Sequence, residues 1–447
     1  MNKLNYLKHK QNGFSRIGFI LIISFTILII TFFVYQLFFI SKPVLNGVEE
    51  FNVLPVSKTI TLKGQHINSI NISIIQGGKK IDLLNDVPET AEKIYVLQIK
   101  PKDLALTDGA ASVVIRAKAG LFRKLKQDIN IIIDTVPPSL EVLKTPEIVN
   151  QGGAGFAVLR AKNADSVFLK LEGKTFPAYR ATAVTKTQSG SFPEGGAADY
   201  YVFFPVPFGV KESAVFHAVA KDIAGNQNVQ SLHIPIKTTA YRWSSLNIDD
   251  VFINTVASSL LNETSVSDHE AAFKKVNEEL RAKALEKLAD IAKETDSRIL
   301  WKGAFLQLKN SKVMAIYGDK RTYLYKGKTV SHSVHLGYDL ASNAHSPVEA
   351  ANSGIVRFAG DLSIYGNTVI IDHGMGLMSL YGHLSVINTS EGQKVSKGDI
   401  IGKTGSTGLA GGDHLHFGIL MHGYEISPLF WWDSHWIKVN VLDYLAS

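Results

Sequence analysis

One apolar run of 24 residues, 17–40, constrains the fold of this chain more than any other feature. An α-helix of roughly 20 such residues can cross a bilayer, because it satisfies its own backbone hydrogen bonds. The run is longer than the core of about 7–15 residues typical of a cleaved signal peptide, and no small-residue cleavage site follows it. We therefore predict a single uncleaved transmembrane anchor at 17–40, with a cleaved signal as the alternative.

The charges before this run predict its orientation. Residues 1–16 contain Lys3, Lys8, Lys10 and Arg16 and no acid, and basic flanks stay in the cytoplasm. We expect a cytoplasmic stub at 1–16, a single pass through the cytoplasmic (inner) membrane, and a periplasmic remainder. Four of the net +7 charges belong to the stub, so the exported part is only weakly basic. It has no aromatic-basic motif that would indicate nucleic-acid binding. The chain has no cysteine, which excludes disulfides and thiolate metal sites.

Two consecutive stretches, 44–136 and 137–240, have the pattern of β domains. Alternating β-branched runs such as 58–62 and 67–75 are separated by turn clusters, which favours antiparallel sandwiches. Pro137 and Pro138 interrupt the pattern, because proline cannot donate to a strand ladder.

The two stretches also end alike, with a strand, a glycine turn and a second strand. The turn at 220–226, Ala-Lys-Asp-Ile-Ala-Gly-Asn, resembles the ending of bacterial immunoglobulin-like modules. We expect two immunoglobulin-like β-sandwich modules that serve as spacers or docking surfaces. A generic pair of β domains is the alternative.

A helical linker is predicted at 241–300. Between residues 267 and 294 apolar side chains recur every three to five residues, which indicates an amphipathic helix. Ser267 and Glu270 fit a capping box in front of it. Packing on its own domain and binding a protein partner are both open roles for this helix.

The C-terminal region, 301–447, is rich in β-patterned and glycine-punctuated segments and predicts an antiparallel β domain. Residues 368–372 and 377–381 flank a glycine turn and predict a hairpin. Nine of the fourteen histidines lie between His332 and His435. Five of these we expect to be structural or on the surface: His332, His345, His373, His422 and His435.

The other four histidines occur in three short strings: His335-Leu-Gly-Tyr-Asp339, Tyr381-Gly-His383 and His414-Leu-His416. Residues two apart on a strand share a face, so the last string presents two imidazoles together. His335 and Asp339 of the first string are four residues apart and would lie on the same face of a helix, but Gly337 argues against a helix there. Spacing alone therefore does not bring His335 and Asp339 together. Imidazoles with one carboxylate are the usual ligands of a catalytic zinc ion that keeps a position open.

The order of strings across residues 333–428 resembles the lysostaphin/LytM-type zinc endopeptidases. Besides the three above, the strings that carry the resemblance are residues 347–350, 353–356, 365–369, 372–374, 398–402, 405–408 and 426–428. Three positions depart from the family pattern: His345 where glycine is common, Asp413 where a small residue or proline is usual, and Gly418 where an acid is common.

The resemblance implies a small antiparallel β domain with an open groove, one zinc ion per chain, and hydrolysis of peptide bonds in bacterial peptidoglycan. By position, His335, Asp339 and His416 match the zinc ligands. His383 and His414 match the pair that serves the reacting water and the oxyanion. Asp413 is expected either to support a histidine or to lie in a solvated loop, and Tyr381 to pack.

These observations predict a membrane-anchored zinc metallo-endopeptidase that cuts peptidoglycan cross-links or stem peptides. One alternative is a non-enzymatic envelope protein that binds peptidoglycan or activates another cell-wall hydrolase. Another is an assembly scaffold that binds a protein partner through the β modules or the helix at 267–294. A further hypothesis is autoinhibition, in which that helix and the segment to about Gly318 cover the groove.

Overall fold

The computed structural model describes residues 16–90, 92–185, 196–262 and 266–445. All but the last residue of the predicted cytoplasmic stub lies outside these ranges. The described chain is mainly β and forms two compact units: the described residues up to 137 together with 224–226, and the described residues of 138–223 and from 227 onward. The predicted division into six segments remains a prediction.

The first unit begins with an apolar helix, α1 (Arg16–Phe38). Its segment Gly18–Phe38 has a mean hydropathy of 2.6 and no buried side chains. By length and composition this helix is able to cross a membrane, but a signal sequence near an N-terminus meets the same conditions. Helix α1 is therefore compatible with the predicted membrane anchor, which remains a prediction.

Two sheets follow in the first unit, with strand orders β1-β3-β6 and β2-β8-β7-β4-β5. All their strand pairs are antiparallel except the parallel pair β2 and β8. Alternating Ile and Leu side chains such as Ile60, Ile72 and Ile115 point into one core between the sheets. This agrees with the alternation in the sequence, whereas the immunoglobulin-like character stays a prediction. The strands are β1 (Val44–Asn46), β2 (Val53–Leu54), β3 (Lys58–Gln65), β4 (Ser69–Gln76), β5 (Lys79–Asp86), β6 (Glu92–Ile99), β7 (Gly109–Ala119) and β8 (Arg123–Ile133).

The second unit opens with two four-stranded sheets, ordered β14-β15-β11-β9 and β13-β12-β16-β17, and a parallel pair β10-β18. Phe176, Phe204 and Phe216 lie in the core between the two sheets. The elements are β9 (Ser139–Lys144), β10 (Val149–Asn150), β11 (Gly153–Lys162), β12 (Ser166–Leu171), β13 (Lys174–Pro177), β14 (Tyr179–Arg180), α2 (Ala181–Thr185), β15 (Ala197–Val206), β16 (Phe216–Lys221), β17 (Gln227–Leu232) and β18 (Ile236–Lys237).

The C-terminal part of this unit is built on a large antiparallel sheet, ordered β20-β23-β31-β27-β26-β25-β29, with β32 paired to β31. Smaller sheets, β19-β21-β22 and β24-β30-β28, accompany it. The strands are β19 (Trp243–Ile248), β20 (Lys312–Ala315), β21 (Lys320–Tyr325), β22 (Lys328–Val334), β23 (Tyr338–Ala341), β24 (Pro347–Glu349), β25 (Gly354–Asp361), β26 (Asn367–Gly374), β27 (Leu377–Gly382), β28 (Val386–Ile387), β29 (Lys394–Val395), β30 (Ile400–Lys403), β31 (Leu415–Met421) and β32 (Tyr424–Ile426). The predicted hairpin is confirmed as β26 and β27.

Helices cover both faces of this sheet. One face packs against α3 (Asp250–Leu261), α4 (His269–Lys274), a π-helical turn (Lys275–Leu280) and α5 (Arg281–Ile291). The opposite face packs against the C-terminal helices α6 (Leu429–Trp432), α7 (Ser434–Ile437), a second π turn (Lys438–Leu442) and α8 (Asp443–Leu445). The apolar face of α4 and α5 packs on Ile370, Met378 and Leu420 of the sheet. This amphipathic segment therefore buries its apolar face within its own unit.

The N-cap predicted for this segment was wrong. Asp268 is the capping residue, and its carboxylate accepts a hydrogen bond from the backbone N–H of Ala271. The capping box expected from Ser267 and Glu270 is replaced by this single Asp cap, which satisfies one of the free N–H groups of the first turn. Helix α3, capped in the same way by Asp249, was not singled out from the sequence.

A fully buried carboxylate ties the linker to the sheet. Asp372 accepts hydrogen bonds from the Thr295 hydroxyl and from the backbone N–H groups of Asp296 and Gly374, and forms an ion pair with Arg357 at 2.9 Å. Every lone pair of the carboxylate is engaged, which offsets the cost of burying its charge. The segment after α5 is thereby fixed to β26.

Candidate metal centre

Strand register brings together most of the predicted site. Asp339 on β23 pairs directly with His416 on β31, and Gly382 at the end of β27 pairs with the same histidine from the other side. Paired residues on adjacent strands lie about 5 Å apart. The backbone turns immediately after Gly382, where His383 has a left-handed φ of 62° and its N–H donates to the Tyr365 carbonyl.

Three ligand-type atoms form a nearly equilateral triangle. His335 Nε2 lies 2.9 Å from Asp339 Oδ1 and 3.1 Å from His416 Nδ1, and the latter two atoms are 2.9 Å apart. All three residues are buried. His335 follows β22 and reaches this point by a turn rather than a helix, which agrees with the expectation drawn from Gly337.

The triangle fits a divalent cation. Tetrahedral ligands at about 2.0–2.1 Å from zinc stand roughly 3.3 Å from one another, close to the observed separations. His335 Nδ1 donates to the Ile316 carbonyl at 3.0 Å, which leaves Nε2 of a neutral ring without a hydrogen. At most one hydrogen is then shared among three converging lone-pair atoms, and a cation relieves their repulsion.

Two further imidazoles adjoin the triangle. The rings of His383 and His414 are 4.8 Å apart, and Nε2 of His414 is 3.6 Å from Asp339 Oδ1. Their Nδ1 atoms donate to the backbone carbonyls of Thr407 and Gly412, both at 2.8 Å. These bonds fix each ring and leave each Nε2 available to accept or carry a proton.

The surroundings separate the pKa values of these groups. Burial, helped by the neighbouring imidazoles, lowers the pKa of His383 to about 3, and burial lowers that of His416 to about 4. Burial also lowers the pKa of His414, but the Asp339 carboxylate more than compensates and the pKa is raised overall. Burial opposes ionisation of Asp339, yet the imidazoles, His335 first, hold its pKa well below the usual range.

Gly337 leaves room for the ring of His416. A Cβ atom at this position would lie 2.6 Å from Cε1 and Nε2 of His416 and 2.8 Å from the Phe417 carbonyl oxygen. Such distances are well below van der Waals contact, so a side chain here would displace the ring or the strand. Glycine is required by the close approach, not by an unusual φ.

Two arginines at the site were missed by sequence analysis. Arg321 on β21 donates to the second oxygen of Asp339 at 3.1 Å, and Arg281 begins α5. Both line a cavity of about 130 Å³ with the predicted ligands. They precede the strings on which the resemblance rests, and nothing in their local sequence marks them as site residues.

A second missed pair lies behind His416. The ring of Tyr365 packs at a tilt against the ring of His416, with centroids 5.5 Å apart, and its hydroxyl donates to Glu425 Oε1 at 2.7 Å. Glu425 is buried, and its Oε2 has no hydrogen-bond partner among the described residues. Burial raises the pKa of Glu425 to about 7, although Tyr365 and Arg281 act in the opposite direction.

The remaining polar residues singled out earlier lie away from the triangle. Asp413 accepts a hydrogen bond from the Thr404 hydroxyl at 2.6 Å and lies 3.6 Å from His345, so it orders a loop next to an exposed histidine. Tyr381 is buried and its hydroxyl accepts the Ala351 N–H. His373 is buried as well, with its pKa lowered by burial to about 4. These contacts are structural.

The sheet thus carries two histidines and one aspartate, His335, Asp339 and His416, that could hold a metal ion. Residues 333–428 match Peptidase family M23, and this part of the chain is an M23 domain of the lysostaphin/LytM kind, as the sequence strings predicted. The match covers about a fifth of the chain, so the family assignment concerns the C-terminal domain.

Relatives match over the same region. DD-carboxypeptidase/endopeptidase Mpg of Neisseria meningitidis serogroup B is 37% identical over 107 residues, 24% of this chain and 25% of that protein. Peptidoglycan DD-endopeptidase ShyA of Vibrio cholerae serotype O1 is 38% identical over 95 residues, 21% and 22% of the two chains. The solved catalytic domain of lysostaphin from Staphylococcus simulans is 30% identical, with a TM-score of 0.24, and the match covers 29% of this chain and 96% of that one. This chain thus spans only about a quarter of the length of the Mpg and ShyA proteins.

Proposed function

We propose that the protein is a zinc metallo-endopeptidase that hydrolyses peptide bonds in bacterial peptidoglycan. The observation that carries this proposal is the triangle of His335, Asp339 and His416 with two further imidazoles beside it. The M23 domain and the names of its endopeptidase relatives support the substrate class.

The three triangle residues would hold the ion, and His383 and His414 would handle protons. Zinc bound there supplies a Lewis acid for the amide carbonyl and raises the acidity of a water molecule. With its Nδ1–H held by the Thr407 carbonyl, His383 presents Nε2 as a proton acceptor. His414 lies near the Asp339 carboxylate, which favours its protonated form and suits it to donate to the oxyanion or the leaving amine.

Arg321 acts as a positioning residue in this scheme. Its guanidinium binds the oxygen of Asp339 that faces away from the triangle. This contact keeps the other oxygen directed at His335 and His416. Outer contacts of this kind orient metal ligands.

The test uses the full chain in detergent. We expect one zinc ion per wild-type chain and digestion of isolated sacculi, with both lost in Asp339→Ala. Asp361→Ala, which changes an exposed carboxylate outside the triangle, is the matched control. Digestion that persists in Asp339→Ala would contradict the assigned role.

The placement of the protein in the envelope belongs to the same proposal. Helix α1 would anchor the chain in the cytoplasmic membrane, with its N-terminus inside and the M23 domain in the periplasm, next to the substrate. The two β modules would be immunoglobulin-like spacers between membrane and enzyme. Protease added to intact spheroplasts should then degrade the M23 domain, and protection of that domain would contradict this orientation.

The non-enzymatic alternative is a peptidoglycan-binding protein or an activator of another hydrolase. It is disfavoured because the chain retains all five site residues. Sacculi bound but not cut by a zinc-loaded chain would favour it.

A further inference from the structure

We propose that Arg281 and Arg321 form a carboxylate-binding subsite beside the metal centre, so that the preferred substrate carries a free carboxylate close to the bond that is cut. The inference rests on the proposed function, because the metal centre marks where the bond lies. It names a substrate feature that the five site residues alone do not require.

The two guanidinium groups share one cavity with the triangle. Its volume is about 130 Å³, and it is also lined by His335, Asp339 and His414. This volume suits a small terminal group rather than a sugar ring or a whole peptide. A carboxylate that entered the cavity would lie next to both the arginines and the reacting centre.

Arg281 is held in place rather than free on the surface. Its Nε donates to the Asn277 carbonyl at 3.1 Å, and its Nη2 donates to the Asn277 side-chain oxygen at 2.9 Å. Asn277 is itself buried and donates to the Ser331 hydroxyl at 2.9 Å and to the His332 carbonyl. The π-helical turn before α5 carries this Asn, and such turns recur at functional sites. An arginine fixed in this way loses less conformational entropy when it binds a ligand.

Arg321 uses one nitrogen to contact Asp339 at 3.1 Å. A guanidinium has five N–H donors, so most of its fork remains for a second anion. Planar guanidinium groups bind carboxylates with two parallel hydrogen bonds, which a carboxamide cannot reproduce.

The charges of the cavity favour an anion. Two arginines and one aspartate line it, which gives a net positive charge before any metal ion is counted. A divalent ion in the triangle would increase this charge. A neutral peptide segment gains nothing from it, whereas a carboxylate is attracted in a partly buried site of low dielectric.

Both arginines come from outside residues 333–428. Arg281 belongs to the helical segment that packs on the sheet, and Arg321 to the strand that pairs with β22. The preference for a carboxylate would therefore be a property that the preceding segments add to the M23 domain.

The test compares three synthetic probes of the same cross-linked stem-peptide dimer: one with all carboxylates free, one with the C-terminal carboxylate amidated, and one with the side-chain carboxylate amidated. Binding to the metal-free full chain in detergent is measured by calorimetry, and KM and kcat are measured on the zinc-loaded chain. Amidation of one of the two positions should weaken binding roughly tenfold to a hundredfold. The position that responds identifies the source of the carboxylate.

Arg281→Met keeps the aliphatic stem and removes the charge, so the ratio between acid and amide probes should fall toward one. Arg281→Lys keeps the charge but cannot form two parallel hydrogen bonds, so it should retain part of the preference for the acid probe over the amide probe. This variant replaces Arg281→Met in the test if the Met variant does not fold. Arg160→Met is the control, since Arg160 also pairs with a carboxylate, that of Asp199, and does not line the cavity.

Equal binding of all three probes by the wild-type chain would overturn the subsite while leaving cleavage, and thus the proposed function, intact. Tighter binding of every probe by Arg281→Met would also overturn it, because the arginine would then obstruct the cavity. Failure of the proposed function has a different signature: no probe and no sacculus is cut by the zinc-loaded wild-type chain, whatever the binding ratios.

Discussion

Gly337→Ala is the most selective perturbation of the candidate metal centre. The added Cβ would lie 2.6 Å from two atoms of the His416 ring, whereas carbon atoms in contact stand about 3.5–4.0 Å apart. The ring or the strand must therefore move by about 1 Å. The ring has little freedom, because it packs against His335, Tyr365 and His383. Zinc sites tolerate departures of only about 0.2 Å.

We expect Gly337→Ala to weaken zinc binding roughly tenfold to a hundredfold, the range found when the support of a ligand is disturbed. The overpacking should cost about 1–3 kcal/mol of unfolding free energy. Zinc affinity is measured by competition with a chelator, and circular dichroism reports whether the variant is folded. Gly360→Ala is the control, because its Cβ would meet only the Phe358 ring at 3.6 Å. A folded Gly337→Ala protein with zinc affinity within threefold of wild type would refute the reasoning.

Three further predictions concern stability, each followed by melting curves. Burial raises the pKa of Glu425 from 4.5 to about 7, so wild-type stability falls as the pH rises from about 4.5 to about 7 and changes little above that. Glu425→Gln should therefore raise the unfolding free energy by roughly 3 kcal/mol at pH 8 and leave it unchanged below pH 4. Equal melting temperatures of the two proteins at pH 8 would contradict this. Asp372→Ala removes a fully buried carboxylate with four partners and should lower the unfolding free energy by about 3–5 kcal/mol. The control Asp290→Ala changes an exposed carboxylate and should lower it by less than about 1 kcal/mol. Similar losses in the two variants would contradict the stabilising role of the contacts around Asp372. Asp268→Ala should lower the unfolding free energy by about 1 kcal/mol, and Ser267→Ala should leave it almost unchanged. A larger loss for Ser267→Ala would show that Ser267 is the N-cap residue, as expected from the sequence.

Much of the C-terminal domain was predictable because its strands are short, alternate regularly and are separated by glycine turns. The hairpin of β26 and β27 was confirmed on these grounds. The helical segment was foreseen from its apolar periodicity, but its start was not. Ser267 and Asp268 are both good N-cap residues, and only the tertiary position of the chain selects Asp268.

The sequence by itself determined the ingredients of the site: four histidines and one aspartate in recognisable strings, and an apolar run long enough for a membrane. Their convergence was decided by strand register, since pairing Asp339 with His416 joins residues 77 positions apart. A slip of one residue would turn each side chain to the opposite face of the sheet.

The positions of Arg281 and Arg321 in one cavity at the metal centre were determined by the tertiary structure alone. An arginine in a helix and an arginine in a strand carry no local sign of a shared cavity. They meet there because the apolar faces of α4 and α5 must be buried, and the sheet next to the triangle is the surface that buries them. Local patterns determine which elements form, whereas burial of their apolar faces determines which distant charges become neighbours.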